Sequence, residues 1–196
     1  MDFASQNLTA GQLNAIVKKL GGEEGALRFL RDELTVGVAT RVFPIWKSIK
    51  LGLHKNDTAL RDAIESAGMK IGNWGGQIFR RTATATEETD VDLVVASVAE
   101  LGFKKGAKYS EICARALELG LELCPAEVGP ALRLAYKDQP RGEWLIIAME
   151  AITDSDGDLY VFYVEHDIGG LWLRGFSGRP DGFWGSVLRF VFVRRK

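Results

Sequence analysis

Short runs of β-branched and aromatic residues recur from residue 91 onward, and they restrict the fold more than any other feature of the chain. Such runs, separated by Asp- and Gly-rich turns, are typical of strands. One helical stretch interrupts them at 109–119, where Ile112, Ala116 and Leu119 have inward spacing. The second half is therefore predicted to be α+β. The predicted strands are 91–98 (VDLVVASV), 143–152 (EWLIIAMEAI), 159–165, 171–173 and 189–195.

The first part of the chain has helical periodicity instead. Thr9 and Gln12 form a capping box, after which apolar residues follow at helical spacing as far as Gly21. A second helix is predicted to begin at Glu23 and Glu24, because carboxylates are favourable at a helix N-terminus. These two helices predict a short hairpin.

Further helices are predicted at 56–67 and, less regularly, at 69–80, with an extended segment at 42–53 between them and the hairpin. The polar run 82–89 (TATATEET) has no apolar face and is predicted to be a linker. The expected organisation is a helical N-terminal module at 1–88 and an α+β domain at 89–196.

Composition narrows the function classes. Apolar residues make up 46% and charged residues 26% of the 196, as in globular proteins. The net charge of -1 provides no basic field for nucleic acid. The longest apolar runs fall far short of the roughly 20 residues that span a bilayer. The N-terminus lacks the basic and apolar parts of a secretory signal, so a cytoplasmic location is the default expectation, with export by another route left open.

The acidic stretch 154–165 is the part of the sequence that most nearly matches a metal-binding motif. Asp154, Asp156, Asp158 and Glu165 stand at positions 1, 3, 5 and 12 of a calcium-loop pattern. However, the glycine, Gly157, comes one position too early, and the flanking segments are predicted strands rather than helices. A hairpin turn accounts for these residues, so no metal site is predicted.

No catalytic constellation is visible in the sequence. Glu127, His166 and Asp167 are isolated ionisable residues. Cys113 and Cys124 have neither the spacing nor the nearby histidines of a metal site, and they are expected to be small buried hydrophobes. The chain is therefore expected to be non-catalytic and to need no cofactor.

The N-terminal hairpin leaves one alternative open, a helix-turn-helix in a DNA-binding regulatory protein. Four basic residues would face phosphate, but four acidic residues interrupt them. An ordinary helical hairpin is favoured, and nucleic acid is not the favoured partner. The basic residues are Lys18, Lys19, Arg28 and Arg31, and the acidic ones are Glu23, Glu24, Asp32 and Glu33.

The segment 174–188 near the C-terminus is the candidate binding site. It has a period of neither 2 nor 3.6 residues, and it mixes aromatic anchors with arginines and small residues, as a binding paratope does. The alternative is a long structural loop whose aromatic residues pack into the core. The candidate ligand-binding residues are Arg174, Gly175, Phe176, Ser177, Gly178, Arg179, Gly182, Phe183, Gly185, Ser186, Val187 and Leu188.

The sequences GEWLIIAMEAITDSDG, GLWL, RPDGFW and RFVFVRR resemble a family of uncharacterised bacterial proteins. The tail of that family is similar to the variable region of diversity-generating retroelement targets. The resemblance covers about residues 89–196 and implies a C-type-lectin-like domain with mainly antiparallel strands. It also implies a hypervariable surface for an unknown protein or surface ligand, and leaves the oligomeric state open.

Diversification of this kind miscopies adenines, so that asparagine codons become the variable ones. Gly182 and Gly185, in and after the motif RPDGFW, stand where the family pattern has asparagine. Eight further candidate residues can be reached from an asparagine codon by changing its adenines, namely Gly175, Phe176, Ser177, Gly178, Arg179, Ser186, Val187 and Leu188. Trp172 and Trp184 cannot, so the resemblance implies that they are fixed scaffold. The tail departs from the family in containing no asparagine.

Three structural expectations follow from the resemblance. The first and last strands of the domain, 91–98 and 190–194, should pair. Replacing the tail between Leu173 and Arg189 should leave thermal stability nearly intact, with Phe176 and Phe183 as anchors of the binding surface. The core beneath the loops should contain Trp144, Met149, Phe162 and Trp172.

Overall fold

The structure is a computed structural model, and it describes residues 8–34 and 42–195. These residues form a mixed α+β protein with six helices and a large, mostly antiparallel sheet. The chain divides into two compact units, Met1–Thr40 and Arg41–Lys196.

The first unit contains the predicted helical hairpin, α1 (Ala10–Lys19) and α2 (Glu23–Leu30). The predicted capping box is present. The Thr9 hydroxyl accepts the Gln12 N–H at 3.3 Å, and the Thr9 N–H donates to Gln12 Oε1 at 2.8 Å. Neither helix contains a buried residue, so the apolar side chains of the hairpin are exposed to solvent.

The second unit alternates strands with short helices. Its elements are β1 (Lys47–Leu51), α3 (Asp57–Ser66), β2 (Lys70–Ile71), α4 (Asn73–Phe79), β3 (Thr89–Ser97), β4 (Ala107–Lys108), α5 (Tyr109–Glu118), β5 (Leu121–Glu122), α6 (Val128–Ala135), β6 (Trp144–Ile147), β7 (Ile152–Thr153), β8 (Leu159–Asp167), β9 (Gly170–Ser177), β10 (Phe183–Trp184) and β11 (Arg189–Arg194).

Nine of these strands form one sheet in the order β1-β3-β11-β6-β8-β9-β2, with β5 paired to β11 and β7 paired to β8. The pairs β11–β6 and β2–β9 are parallel, and the others are antiparallel. The remaining strands, β10 and β4, form a small antiparallel pair. The expected pairing of the first and last strands of the C-terminal domain is confirmed, because β3 lies beside β11 with Ala96 opposite Phe190.

The expected domain boundary at 88/89 falls inside the second unit. Strand β1 pairs with β3 across this position, with Ile49 opposite Val91. The predicted linker begins at Thr82, which is buried and donates its hydroxyl hydrogen to the carbonyl of Ile78. Residues 42–88 therefore supply both edge strands of the sheet, β1 and β2, together with two helices.

Helices cover one face of the sheet. The ring of Phe162 on β8 lies 6.3 Å from that of Phe79 in α4, and it also packs against Gly129 of α6. Successive side chains of a strand point to opposite faces, so Tyr163 lies on the other face. We call the side of Phe162 the helix face.

The other face is covered only in part. Tyr109 of α5 lies against Phe190, with ring centroids 6.0 Å apart. Phe190 lies opposite Ile146, and Ile146 lies opposite Tyr163, so all three side chains are on this same face. The part of this face that α5 does not cover has half-buried or exposed side chains, and we call it the open face. It comprises Trp144, Tyr163, Glu165, Trp172, Arg174 and Phe176.

The expected core is correct in part. Met149 and Phe162 are buried, whereas Trp144 and Trp172 are only half-buried, because both lie on the open face. Over residues 8–34 and 42–195, no helix has the length and apolar character needed to cross a bilayer.

Candidate functional site

The first residues of the tail continue a strand. Sequence analysis predicted a strand only at 171–173 and an aperiodic segment from 174, but β9 continues to Ser177. Arg174 lies opposite Tyr163, and Phe176 lies opposite Val161. The alternation of outward and helix-facing side chains does not show in the sequence. The helix-facing position between Arg174 and Phe176 is Gly175, which has no side chain.

Gly175 lies against the backbone of α4. A Cβ at this position would lie 2.9 Å from the carbonyl carbon of Trp74 and 3.0 Å from the nitrogen of Gly75. Likewise, a Cβ at Gly178 would lie 2.8 Å from Cγ1 of Val161. These glycines allow close packing, so two of the predicted ligand-binding positions belong to the framework.

Phe176 stands on a platform of aromatic rings on the open face. Its ring centroid lies 6.0 Å from Trp144, 6.2 Å from Tyr163 and 5.0 Å from Trp184. Trp184 is only 2% exposed and packs in turn on Phe190, 5.1 Å away. Phe176 itself remains 42% exposed. Its support is therefore rigid while part of its ring is available to a ligand.

Backbone hydrogen bonds hold the loop that follows β9. The carbonyls of Pro180 and Gly182 accept N–H groups at the start of α5, at 3.1 and 2.9 Å. The carbonyls of Ser186 and Leu188 accept those of Ala99 and Val98, at 2.8 and 3.0 Å. None of these bonds uses a side chain of the tail.

The side chains of this loop differ widely in exposure. Phe183 is 68% and Val187 80% exposed. Arg179 is also exposed and pairs with the neighbouring Asp181, at 3.5 Å. Gly185 has open space where a Cβ would project. The expected anchors Phe176 and Phe183 thus face solvent, and the alternative of a tail packed into the core does not describe them.

Arg174 has intramolecular partners. Its Nη2 lies 2.5 Å from Oδ2 of Asp167, and its Nε lies 3.2 Å from Oε2 of Glu165. Its guanidinium lies 4.4 Å from the ring centroid of Trp172, and the ammonium of Lys70 lies 5.1 Å from the same ring. Arg174 is therefore tied into the sheet rather than free to follow a ligand.

Asp167 is held in its charged form. Desolvation raises the pKa of its carboxyl, but hydrogen bonds from the Gly169 N–H and the Trp172 indole, together with the charges of Arg174 and Lys70, lower the pKa below its ordinary value. This network orders the end of the β8–β9 hairpin.

Two clefts border the open face. One of about 520 Å³ is lined by Trp74, Tyr163, Trp172 and Arg174, among others. The second, of about 470 Å³, includes Trp144 and Val187–Arg189. Aromatic and arginine side chains beside such concave surfaces are typical of binding sites.

The two cysteines are poor nucleophiles. Burial raises the pKa of the Cys113 thiol to about 11, outweighing the opposing hydrogen bond to Tyr109. Burial also raises the pKa of the Cys124 thiol. Because the thiolate is the reactive form, the raised pKa values reduce the thiolate fraction of both groups near neutral pH.

The acidic turn has a structural explanation. Oδ1 of Asp154 accepts the N–H groups of Asp156 and Asp158, both at 2.9 Å, and so closes the β7–β8 turn. Glu165 lies on the open face beside Arg174 instead. In the described part of the chain, no three His, Cys, Asp or Glu side chains come together as a possible metal site.

The three isolated ionisable residues lie in separate networks. His166 Nδ1 is 2.6 Å from the carbonyl of Gln139, Asp167 joins Arg174, and Glu127 accepts two backbone N–H groups. Gln139 also accepts a hydrogen bond from Arg133, which is fully buried. Burial lowers the pKa of the Arg133 guanidinium to about 10.

Trp144 and Tyr163 also belong to the candidate surface, although neither is among the twelve residues that the sequence indicates. Both lie within predicted strands, but a strand sequence does not say which face a side chain occupies. The strand register shows it, since Trp144 lies opposite Glu165 and Tyr163 lies opposite Arg174 on the open face. The candidate site therefore combines three protruding tail side chains, Phe176, Phe183 and Val187, with a fixed aromatic platform.

We compared the chain with known protein families, with curated proteins and with solved structures. No family model, no curated protein and no solved structure matched it.

Proposed function

We propose that this protein is a non-catalytic binding protein, and that its C-terminal tail displays exchangeable side chains to a protein or surface ligand. The surface consists of the exposed tail residues and the adjoining open face. Its fold is proposed to be C-type-lectin-like, with the tail in the place of a diversified region.

The observation that carries this proposal is the way the tail is held. Four carbonyls between Pro180 and Leu188 accept hydrogen bonds from backbone N–H groups of 98–110. A backbone carbonyl is present whatever the side chain, so such bonds persist through substitution. A tail held in this way supports many sequences on one backbone, which keeps the ordering cost of binding low.

Packing, ion pairs and exposure support dividing most of the twelve candidates into fixed and exchangeable positions. Gly175, Gly178 and Arg174 are restricted by close packing or ion pairs. The exposed positions are the proposed ligand contacts. They are Phe176, Ser177, Arg179, Phe183 and Val187.

The lectin-like part of the proposal is supported by one feature of topology. The pairing of β3 with β11 brings the two ends of the 89–196 region together, as the resemblance implies. Trp184, which adenine substitution cannot produce from an asparagine codon, is 2% exposed beneath the tail. A buried, fixed tryptophan among variable neighbours is what a diversified surface requires.

A display experiment tests the binding surface. Two libraries are compared in the full chain, one randomised at the five exposed tail positions and one at five exposed helix positions, Asp62, Glu65, Glu111, Ala114 and Glu118. Both are selected against the same panel of folded proteins. The tail library should give specific binders more frequently, because its positions adjoin clefts and an aromatic platform. Equal frequencies would contradict the proposal.

Diversification has a separate test in the DNA that follows the gene. We expect a near-copy of the segment encoding 174–188 that differs mainly at adenines, with a reverse transcriptase gene nearby. A locus with neither element would remove the diversification part of the proposal and leave the binding surface to the display experiment.

A further inference from the structure

A separate cavity lies on the helix face, away from the tail and from the two clefts beside the open face. It has a volume of about 260 Å³ and is bordered by β1, α3 and α6. Six of its nine lining residues are apolar, and the other three are Lys50, His54 and Glu127. Since a cavity of roughly 150 Å³ can hold benzene, this one has room for a molecule of about ten non-hydrogen atoms.

Glu127 is the unusual member of this lining because it is only 3% exposed. Its Oε1 accepts the Gly52 N–H at 2.8 Å, and its Oε2 accepts the Ala85 N–H at 2.6 Å. Each carboxylate oxygen can accept a second hydrogen bond. Both donors are neutral, so neither supplies a full positive charge to balance the carboxylate.

Glu127 has no basic side chain within ion-pair distance anywhere in residues 8–34 and 42–195. The Lys50 ammonium lies 3.5 Å from Asp90 and 3.9 Å from Glu88 instead. Buried charges are ordinarily paired, because burial removes the water that would otherwise stabilise them. An unpaired carboxylate on an apolar cavity therefore selects a cationic occupant.

We propose that this cavity binds a small molecule with a protonated primary amine and an apolar body. The ammonium group lies against Glu127, and the body packs among apolar side chains such as Leu60 and Leu134. A carboxylate ligand is repelled, and a neutral ligand leaves Glu127 without a counter-ion. The site is independent of the tail and of its proposed function.

The proposal is tested by titrating the full-length protein, by calorimetry and ligand-observed NMR, with benzylamine, 2-phenylethylamine and tryptamine. Each is compared with the alcohol of the same shape. At least one amine should saturate a single site and bind about tenfold or more tightly than its alcohol, which is the effect of a charged hydrogen bond. Equal binding of an amine and its alcohol, or binding of no amine, would overturn the proposal.

Two variants locate the site. Ala131→Phe fills the cavity from α6 and leaves Glu127 in place, so it should abolish amine binding. Ala114→Phe places the same side chain on an exposed position of α5 and should bind as the natural chain does. Amine binding that survives Ala131→Phe would overturn the proposal.

Glu127→Gln keeps the size of the side chain and removes its charge. It should weaken amine binding about tenfold and leave alcohol binding unchanged. If this variant does not fold, because the Gln side chain has one acceptor oxygen for the two N–H groups of Gly52 and Ala85, the comparison of Ala131→Phe with Ala114→Phe decides the question.

Discussion

Gly175 faces the backbone of α4, whereas Gly185 has open space where a Cβ would project. Both are tail glycines, and the sequence gives no reason to separate them. The difference arises from packing, because one borders a helix and the other an exposed loop. At the residue scale, the same amino acid therefore has a structural role at one position and is free to vary at the other.

Gly175→Ala should destabilise the protein, since its Cβ would lie 2.9 Å from the Trp74 carbonyl carbon and neither backbone can yield freely. Overpacking of this kind typically costs about 1–3 kcal/mol of the free energy of unfolding. Gly185→Ala is the control and should change it by less than about 0.5 kcal/mol. Urea unfolding of both variants measures the difference, and equal values would disprove the packing argument.

Asp167 should make stability depend on pH. Its pKa is lowered in the folded protein, so its contribution is present above the ordinary pKa of an aspartate and is lost as pH falls through the folded value. Asp167→Asn should therefore lower the Tm at pH 7, and the difference from the natural chain should shrink in strongly acidic solution.

Asp181→Asn is the matched control for this comparison, because Asp181 is exposed and pairs with the exposed Arg179. Surface pairs of this kind contribute little to stability. Its Tm should follow that of the natural chain throughout. A difference for Asp167→Asn that stays constant from pH 7 to strongly acidic solution would show that ionisation of Asp167 does not stabilise the fold.

At the scale of elements, the local sequence predicts helix starts and strands that depend on interactions between residues close in the chain. The capping box at Thr9 begins α1, and the run of β-branched and aromatic residues at 159–165 is found in β8. The extension of β9 to Ser177 was missed because its helix-facing position is Gly175. The open face was missed for a related reason, since which strands adjoin depends on contacts between residues far apart in the chain.

The loop after β9 gives an element-scale prediction. A variant with Asn at Ser177, Arg179, Phe183 and Val187 should keep a Tm close to that of the natural chain, because the loop is held through its backbone. Trp184→Ala should instead lower the free energy of unfolding by about 3–5 kcal/mol, as expected for a buried aromatic. Thermal unfolding of the two variants is the measurement. A large loss in the Asn variant would favour a structural role for those side chains.

At the scale of the whole molecule, the expected boundary at 88/89 lies inside one compact unit, because a change in periodicity along the chain does not by itself mark a change of unit. The helices α3 and α4 have helical periodicity in the sequence, but they cover the same sheet that the later strands form. Sheet and covering helices bury one continuous core. The boundary between compact units lies at 40/41 instead.

This boundary predicts the behaviour of two fragments. A fragment of residues 42–196 should fold cooperatively, because it contains every strand of the sheet and the helices that cover it. A fragment of residues 89–196 should not, because it lacks β1, β2, α3 and α4. It would expose side chains such as Phe162 and Leu173, which have no solvent exposure in the folded unit. Amide NMR dispersion and urea unfolding distinguish the outcomes. A dispersed spectrum and a cooperative transition for 89–196 would show that the sheet does not depend on residues 42–88 for its core.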